Sequence, residues 1–185
     1  MDNDRGVVRV ETVDAPEFEK DVLFKRIISS GCGRGASFYS AADAYNQRVE
    51  SRTSISTAEI FKMVNDFQHG SALYLATHAV HSAALCDAGA ILDFSEDIGR
   101  HNAIDKLFGR CLMQDVPTEG KIIITSGRVT SEILHKVAKK GIPIIISVSV
   151  PTNLGIKIAD QLGITLVGSV KGGKFNVYTH DWRMG

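Results

Sequence analysis

Between residues 121 and 179, short apolar runs rich in β-branched residues alternate with segments of helical periodicity, and this alternation constrains the fold more than any other feature. The segments predicted as strands are 121–125, 142–148, 164–170 and 175–179, and those predicted as helices are 131–140 and 152–162. Strands that alternate with helices favour a layered α/β fold with a parallel or mixed sheet. The Gly172-Gly173 pair between the last two strands predicts a hairpin and a final antiparallel strand.

The first third of the chain is less regular. Two β-rich runs, 7–13 and 22–28, are predicted as strands, and a Gly/Ser loop follows at 29–35. We therefore divide the chain into an N-terminal β segment with a cysteine-bearing loop (1–35) and an α/β domain (36–185). The N-terminal segment is expected to be the remnant of a longer region.

A helix is predicted to begin after Ser56, because Ser56 and Glu59 have the spacing of a capping box. Its apolar face would consist of Ile60, Met63, Val64 and Phe67. Residues 74–92 are small and apolar, and the pattern there fits a helix or a strand equally well.

The composition limits the functional classes. The chain has 185 residues with 21 basic and 21 acidic side chains, and it lacks the basic stripe of a nucleic-acid-binding protein. We see no membrane-spanning apolar run and no signal-peptide pattern. The three cysteines do not have the spacing of a disulfide framework or a zinc site. We therefore expect a cytoplasmic protein that binds neither nucleic acid nor membrane.

The stretch from Glu96 to Lys106 concentrates polar side chains at the start of a predicted amphipathic helix. The apolar stripe of that helix comprises Ile104, Leu107, Phe108, Cys111 and Leu112. Free N–H groups in the first turn of a helix attract anions, and Arg100 and His101 would add side-chain donors. A second interpretation involves no ligand: Asp97 caps the helix, His101 pairs with Asp105, and Asn102 faces water.

Loops after the predicted strands offer further anion-binding groups. Ser126-Gly127-Arg128 combines a hydroxyl, a glycine and a guanidinium ahead of a helix, although a hydroxyl before Glu132 also makes an ordinary N-cap. Residues 149–153 follow the next strand and fit a turn with a cap. Residues 171–174, Lys-Gly-Gly-Lys, suit phosphate binding or a plain hairpin with its lysines in water.

Cys32 is the strongest candidate nucleophile. Glycines at 31, 33 and 35 leave its loop open, and Arg34 would favour the reactive thiolate. The alternative is an inert thiol. Cys86 and Cys111 lie in apolar segments and are predicted to be buried.

His78 and His81 would share a face if their segment were helical, which allows a metal site. Structural histidines are the simpler interpretation. A zinc deaminase would require His-x-Glu followed by Pro-Cys-x-x-Cys, and the chain has neither motif.

Five motifs in one order carry a family resemblance: Ser30-Gly31-Cys32-Gly33, residues 77–84, residues 96–106, Ser126-Gly127-Arg128, and residues 166–168 with 178–180. Together they resemble the formate dehydrogenase accessory sulfurtransferase (FdhD) family, over nearly the whole chain. The resemblance implies a cytidine deaminase-like mixed sheet with helices on both faces and without the zinc site. No intrinsic metal is therefore expected.

The resemblance also implies a function. Members of this family take sulfur from a cysteine desulfurase as a cysteine persulfide. They pass it to the molybdenum (or tungsten) cofactor with two molybdopterin guanine dinucleotides, which formate dehydrogenase requires. Cys32 matches the persulfide-forming cysteine, and the matching cofactor-binding stretch is Ser169, Val170, Lys171, Gly172, Gly173 and Lys174. The motif positions expected around the guanine nucleotide arms are His101, Asn102, Gly127 and Arg128.

The implied partners are the desulfurase, formate dehydrogenase and a second copy of the chain in a homodimer. Many members of the family have Cys-Gly-x-Cys-Gly, whereas position 35 here is glycine, so a second cysteine cannot resolve the persulfide as an internal disulfide. A single-thiol relay remains chemically possible. The alternative functions are a cofactor-binding chaperone without sulfur transfer and, more weakly, a deaminase-like hydrolase.

Overall fold

The computed structural model describes residues 4–9, 48–87 and 89–185, and these residues form a mixed sheet with helices packed on both of its faces. The strands are β1 (His81–Asp87), β2 (Ala90–Asp97), β3 (Ile122–Thr125), β4 (Ile144–Ser147), β5 (Thr165–Lys171) and β6 (Lys174–Thr179). The α-helices are α1 (Thr57–His69), α2 (Ala72–Thr77), α3 (Arg100–Met113), α4 (Ser131–Lys139) and α5 (Asn153–Gln161). A 3₁₀ turn, Asp181–Arg183, follows β6.

The strand order across the sheet is β2-β1-β3-β4-β5-β6. The centre is parallel, because β3, β4 and β5 are joined by the crossover helices α4 and α5. The two flanks are antiparallel: β1 pairs with both β2 and β3, and β6 pairs with β5. The sheet is therefore mixed, as predicted, and the hairpin at Gly172-Gly173 is confirmed.

Two apolar layers enclose the sheet. Helices α3, α4 and α5 cover one face, where they pack against side chains such as Ile123 and Ile145. Helix α1 covers the other face and meets Ile122, Ile124 and Ile144. Adjacent isoleucines therefore point to opposite faces, as the two-residue period of a strand requires. The all-isoleucine runs of β3 and β4 are explained by burial on both sides.

The structure confirms the capping box that begins α1. The Ser56 hydroxyl accepts a hydrogen bond from the Glu59 N–H at 3.3 Å, and the Glu59 carboxylate accepts one from the Ser56 N–H at 2.8 Å. The Ser56 hydroxyl also donates to the Glu59 carboxylate at 2.7 Å, and this hydrogen bond, followed by that from the Ser56 N–H, lowers the pKa of Glu59. The predicted apolar face of this helix is buried in full.

Two sequence predictions are corrected. Leu112 was placed on the buried stripe of α3 but is 71% exposed. Cys111 takes the inward position of that turn, and the next residue lies about 100° further round the helix. The pair His78 and His81 does not share a helix face, because His78 ends α2 in the left-handed conformation and His81 begins β1.

The ambiguous segment 74–92 contains the end of α2, all of β1 and the start of β2. Most of the predicted N-terminal strands, the whole 29–35 loop and the boundary between 1–35 and 36–185 lie outside the described residues. Within the described ranges, none of the helices combines the length and apolarity needed to cross a bilayer.

Candidate functional site

Most of the candidate binding residues lie along one edge of the sheet, which we call the carboxyl edge. It comprises the carboxyl ends of the parallel strands β3, β4 and β5, the start of β1 and the end of β2. The register pairs His81 with Asp97 and places Ser126 beside Ser82. Ligands of open α/β sheets bind beyond the carboxyl ends of the strands, so this edge is the expected location of a site.

The loop Ser126-Gly127-Arg128 is fixed against the first turn of α3. A Cβ atom on Gly127 would lie 2.7 Å from Cβ of Arg100, which is closer than two carbon atoms can pack. The Gly127 N–H donates to Oγ1 of Thr125 at 3.2 Å, and its carbonyl accepts from the Ser147 hydroxyl at 2.8 Å. Gly127 and the start of α3 are therefore in contact, and Arg128 beside them is exposed.

Several polar side chains at the start of α3 brace the helix. Oδ1 of Asp97 accepts hydrogen bonds from the Gly99 N–H at 3.0 Å and the Asn102 amide at 3.1 Å, and Lys106 donates to Oδ2 at 3.0 Å. The Gly99 hydrogen bond is the largest influence that lowers the pKa of Asp97. Asn102 therefore contacts Asp97, instead of facing water alone.

His101 has a different partner from the one predicted. Its Nε2 lies 3.4 Å from Oε2 of Glu132 on α4, whereas Asp105 accepts hydrogen bonds from Lys136. Burial is the main cause that lowers the pKa of His101, and Arg100 and Lys136 add to it. The ring therefore links α3 to α4.

Arg100 is not engaged in this bracing network. Its Nε is buried and has no hydrogen-bond partner, and within the described residues no carboxylate lies within ion-pair distance of its guanidinium. The N-cap of α3 is Gly99, and no side chain in the described part of the chain caps the helix. The hydroxyl of Thr130, at the start of α4, is likewise buried and has no partner among the described residues. A guanidinium, an uncapped helix start and an unpaired hydroxyl together favour an anionic ligand.

His81 and Ser126 form a pair that sequence reasoning did not find. Nδ1 of His81 lies 3.2 Å from Oγ of Ser126, and the same hydroxyl accepts the Ser82 N–H at 2.8 Å. Burial, followed by the positive charge of Arg100, lowers the pKa of His81 below 6.5. The ring and the Ser126 hydroxyl therefore share one hydrogen bond through Nδ1, and this contact fixes the ring at the carboxyl edge.

A cleft of about 320 Å³ opens beside this pair. His78, His81, Tyr74 and Ser126 contribute to its lining, with Ile98 and Val148 as apolar contacts. The rings of Tyr74 and His78 meet edge to face, with centroids 5.1 Å apart. Polar donors and aromatic faces in one concave surface suit a planar, hydrogen-bonding ligand. No three His, Cys, Asp or Glu side chains of the described residues cluster in a way that could hold a metal ion.

The predicted cofactor-binding stretch 169–174 forms the β5–β6 hairpin at the same edge. Ser169 has a left-handed backbone (φ 58°), and its N–H donates to the Ser149 carbonyl at 2.9 Å. Val170 is buried in the core, whereas Lys171 and Lys174 are exposed. Strand β4 separates β5 from β3, so the hairpin lies about 10 Å across the edge from Ser126.

The described cysteines do not contribute to this site. Cys86 and Cys111 are both buried, as predicted. Burial raises the pKa of Cys86 to about 12 and is the main cause that raises the pKa of Cys111. Neither forms a thiolate at neutral pH. Cys32 lies outside the described residues, so its role as nucleophile stays a prediction.

Comparison with known proteins identifies the family. The model of the FdhD/NarQ family matches residues 1–185. The chain belongs to the FdhD/NarQ family. It is 42% identical over its whole length to the sulfur carrier protein FdhD of Bacillus subtilis, of which it covers 71%. It is 45% identical to the sulfur carrier protein FdhD of Listeria innocua, over 94% of this chain and 68% of that protein.

The fold of this FdhD/NarQ protein is also similar to a solved structure. That structure is a candidate formate dehydrogenase accessory protein from Desulfotalea psychrophila. The two share a TM-score of 0.72 and 32% identity over 79% of this chain and 63% of that one. The family resemblance seen in the five sequence motifs is therefore confirmed.

Proposed function

We propose that this FdhD/NarQ protein carries sulfur as a persulfide on Cys32, from a cysteine desulfurase to the molybdenum cofactor with two molybdopterin guanine dinucleotides, for use by formate dehydrogenase. The sulfur carrier proteins among its relatives support the sulfur-carrying role. The deaminase-like arrangement of the sheet, the homodimer and the cytoplasmic location belong to the same proposal and rest on the family resemblance.

The observation that carries the binding half of the proposal is the Arg100 guanidinium beside the start of α3. Among the described residues, its buried Nε has no hydrogen-bond partner and no side chain caps the helix. The diphosphate of a guanine nucleotide arm would accept hydrogen bonds from Arg100 and from N–H groups of the first turn of α3. The His81–Ser126 pair and the aromatic cleft lie next to this position and suit the planar base. Lys171 and Lys174 would neutralise further phosphate charge.

The sulfur-carrying half requires only thiol chemistry. The Cys32 thiolate attacks the outer sulfur of the desulfurase persulfide, so a new S–S bond forms on Cys32 while the desulfurase thiolate leaves. An electron-rich atom of the bound cofactor substrate would then attack that outer sulfur with its own electron pair, the S–S bond would break, and Cys32 would leave as the thiolate. No second cysteine is required, which is consistent with glycine at position 35.

Mass spectrometry tests the carrier step directly. After incubation with a cysteine desulfurase and cysteine, we expect one added sulfur atom on the peptide that contains Cys32. Cys32→Ala removes this label, and Cys111→Ala is the matched control that retains it. A label on another cysteine, or no label on any, would contradict the proposal.

A cofactor-binding chaperone is the second candidate, because glycine at position 35 leaves Cys32 as the single thiol of its loop. The two functions differ in their dependence on Cys32. Full maturation of formate dehydrogenase by Cys32→Ala would establish the chaperone. Loss of maturation with unchanged binding of guanosine diphosphate would support the carrier.

A further inference from the structure

A second cleft, of about 390 Å³, lies at the edge of the sheet opposite the carboxyl edge. Gly163, just before β5, and His180, just after β6, contribute to it. The length of β5 separates it from the hairpin at 171–174 by about 20 Å. We propose that this cleft binds a phosphate dianion through the guanidinium groups of Arg183, Arg48 and Arg52. The proposal is independent of the one made for Cys32.

Arg183 lies at the base of the cleft, and it is only 1% exposed. Its Nη1 donates to the Gly163 carbonyl at 2.9 Å and to Oγ1 of Thr165 at 3.0 Å, and its Nε donates to the Ser51 carbonyl at 3.3 Å. All three acceptors are neutral, and no carboxylate of the described residues lies within 4.0 Å of this guanidinium. A buried charge without an opposite charge is costly, so an anion from solution would relieve that cost.

Two further arginines stand at the mouth of the cleft. The Arg48 side chain packs against the backbone of Gly163, because a Cβ atom on Gly163 would lie 2.9 Å from Cγ of Arg48. Burial and the nearby charge of Arg48 both lower the pKa of Arg183, so the two guanidiniums repel each other. Arg52 also contributes to the lining, and both Arg48 and Arg52 are exposed.

The charge of the cleft favours a dianion. Glu50 is the one carboxylate among the described lining residues, so the three arginines leave an excess of two positive charges. His180 is already engaged, because its Nε2 lies 2.9 Å from the Asp160 carbonyl and 3.5 Å from its carboxylate. Guanidinium groups bind the oxygens of carboxylate and phosphate alike in pairs, so it is the excess of two positive charges that favours a phosphate dianion over a single carboxylate.

Trp182 provides a fluorescence probe of anion binding in this cleft. It is the only tryptophan in the sequence, it is 61% exposed, and the Arg183 guanidinium stacks 4.0 Å from its ring centroid. An anion that draws on the Arg183 charge changes the field at the indole ring. Trp182 emission, excited at a wavelength that the four tyrosines do not absorb, therefore reports on this cleft.

The test is a titration of the whole chain with inorganic phosphate, followed by Trp182 emission. We expect a saturable change in emission that weakens at high salt. Arg48→Ala and Arg52→Ala change exposed side chains, and each should raise the dissociation constant about tenfold, as loss of a charged hydrogen bond does. Lys157→Ala, an exposed change of equal charge on α5, and Arg128→Ala at the carboxyl edge should leave it unchanged. Sodium acetate at equal ionic strength should give no saturable signal.

The proposal is wrong if inorganic phosphate produces no saturable change in the wild-type chain. It is also wrong if Arg48→Ala and Arg52→Ala both bind like wild type, or if Arg128→Ala alone abolishes the signal. Circular dichroism of each variant separates loss of binding from loss of fold. Because the readout is Trp182 emission, failure here leaves the persulfide experiment on Cys32 unaffected.

Discussion

The carboxyl edge has two flanks that differ in how firmly their side chains are held. The α3 flank (His81, Arg100, Ser126 and Gly127) is held by close contacts, such as the hydrogen bond between His81 and Ser126. The hairpin flank (Ser169–Lys174) carries two exposed lysines, and within the described residues neither has a carboxylate partner. The α3 flank therefore presents groups in a fixed geometry, whereas the hairpin flank presents positive charges on flexible lysine side chains.

This difference predicts different contributions to binding. Groups that are already held in place lose little conformational entropy when a ligand arrives, so they provide affinity and specificity. An exposed lysine gains Coulomb energy that salt screens, and it loses side-chain entropy when it becomes ordered. We therefore expect the α3 flank to determine which ligand binds and the hairpin flank to adjust how tightly it binds at low salt.

The largest expected effect is that of Gly127→Ala. The new Cβ would meet Cβ of Arg100 at 2.7 Å, and neither atom belongs to a flexible chain end. Overpacking of this kind costs about 1–3 kcal/mol of unfolding free energy, and it should also displace Arg100. Chemical denaturation measures the loss, and a thermal-shift titration with guanosine diphosphate measures the effect on binding.

Gly172→Ala is the matched control on the hairpin flank. A Cβ at Gly172 meets nothing within 4 Å, but the residue has a positive φ of 59°. The cost is therefore backbone strain alone, about 1 kcal/mol, with binding of guanosine diphosphate nearly unchanged. Equal loss of binding in the two variants would show that the flanks do not differ in rigidity.

The next effect is on affinity. Arg100→Ala removes the unpaired guanidinium, and we expect guanosine diphosphate to bind about tenfold more weakly, as loss of one charged hydrogen bond implies. Lys171→Ala should weaken binding about twofold at low salt, because an exposed charge pair contributes little. Isothermal titration calorimetry at two salt concentrations separates the cases: the effect of Lys171 should vanish at high salt, and that of Arg100 should persist. The reverse order of effects would contradict the comparison.

The sequence was sufficient where local patterns decide the structure. The isoleucine runs at 122–124 and 144–146 predicted buried strands, and the spacing of Ser56 and Glu59 predicted a helix start. The turn at Gly172-Gly173 was predictable because both residues adopt positive φ in the hairpin. These features depend on neighbours in the chain, so periodicity and turn chemistry reveal them.

Contacts between distant segments were not predictable in the same way. The His81–Ser126 pair joins residues 45 positions apart, and it exists because β1 runs antiparallel to β3 in one particular register. The burial of Arg183 was not predicted, because its hydrogen-bond partners are residues 51, 163 and 165, which are distant in the chain. The sequence did not decide between helix and strand at 74–92. One reason is that α2 has no buried residue, so its apolar residues do not show the periodicity that packing against a core imposes.

The smallest expected effect concerns pH, and it should come from the α3 flank and its neighbour His101. Burial lowers the pKa of both His81 and His101 in the folded protein, and the charge of Arg100 adds to both shifts. Lys136 also opposes protonation of His101, whereas Glu132 and Asp105 favour it. The unfolded chain binds these protons near pH 6.5, and stability rises with pH wherever the unfolded state binds more protons. The unfolding free energy should therefore be highest above about pH 6.5, and it should decrease as the pH falls from there through the lower folded-state pKa values.

The double variant His81→Gln/His101→Gln tests this expectation. Its unfolding free energy, measured by urea titration between about pH 5 and pH 8, should depend less on pH than that of the wild type, and most carboxylates stay ionised in this range. His69→Gln, exposed at the end of α1, should keep the wild-type slope, and the same slope in the double variant would show that neither half-buried ring is held neutral.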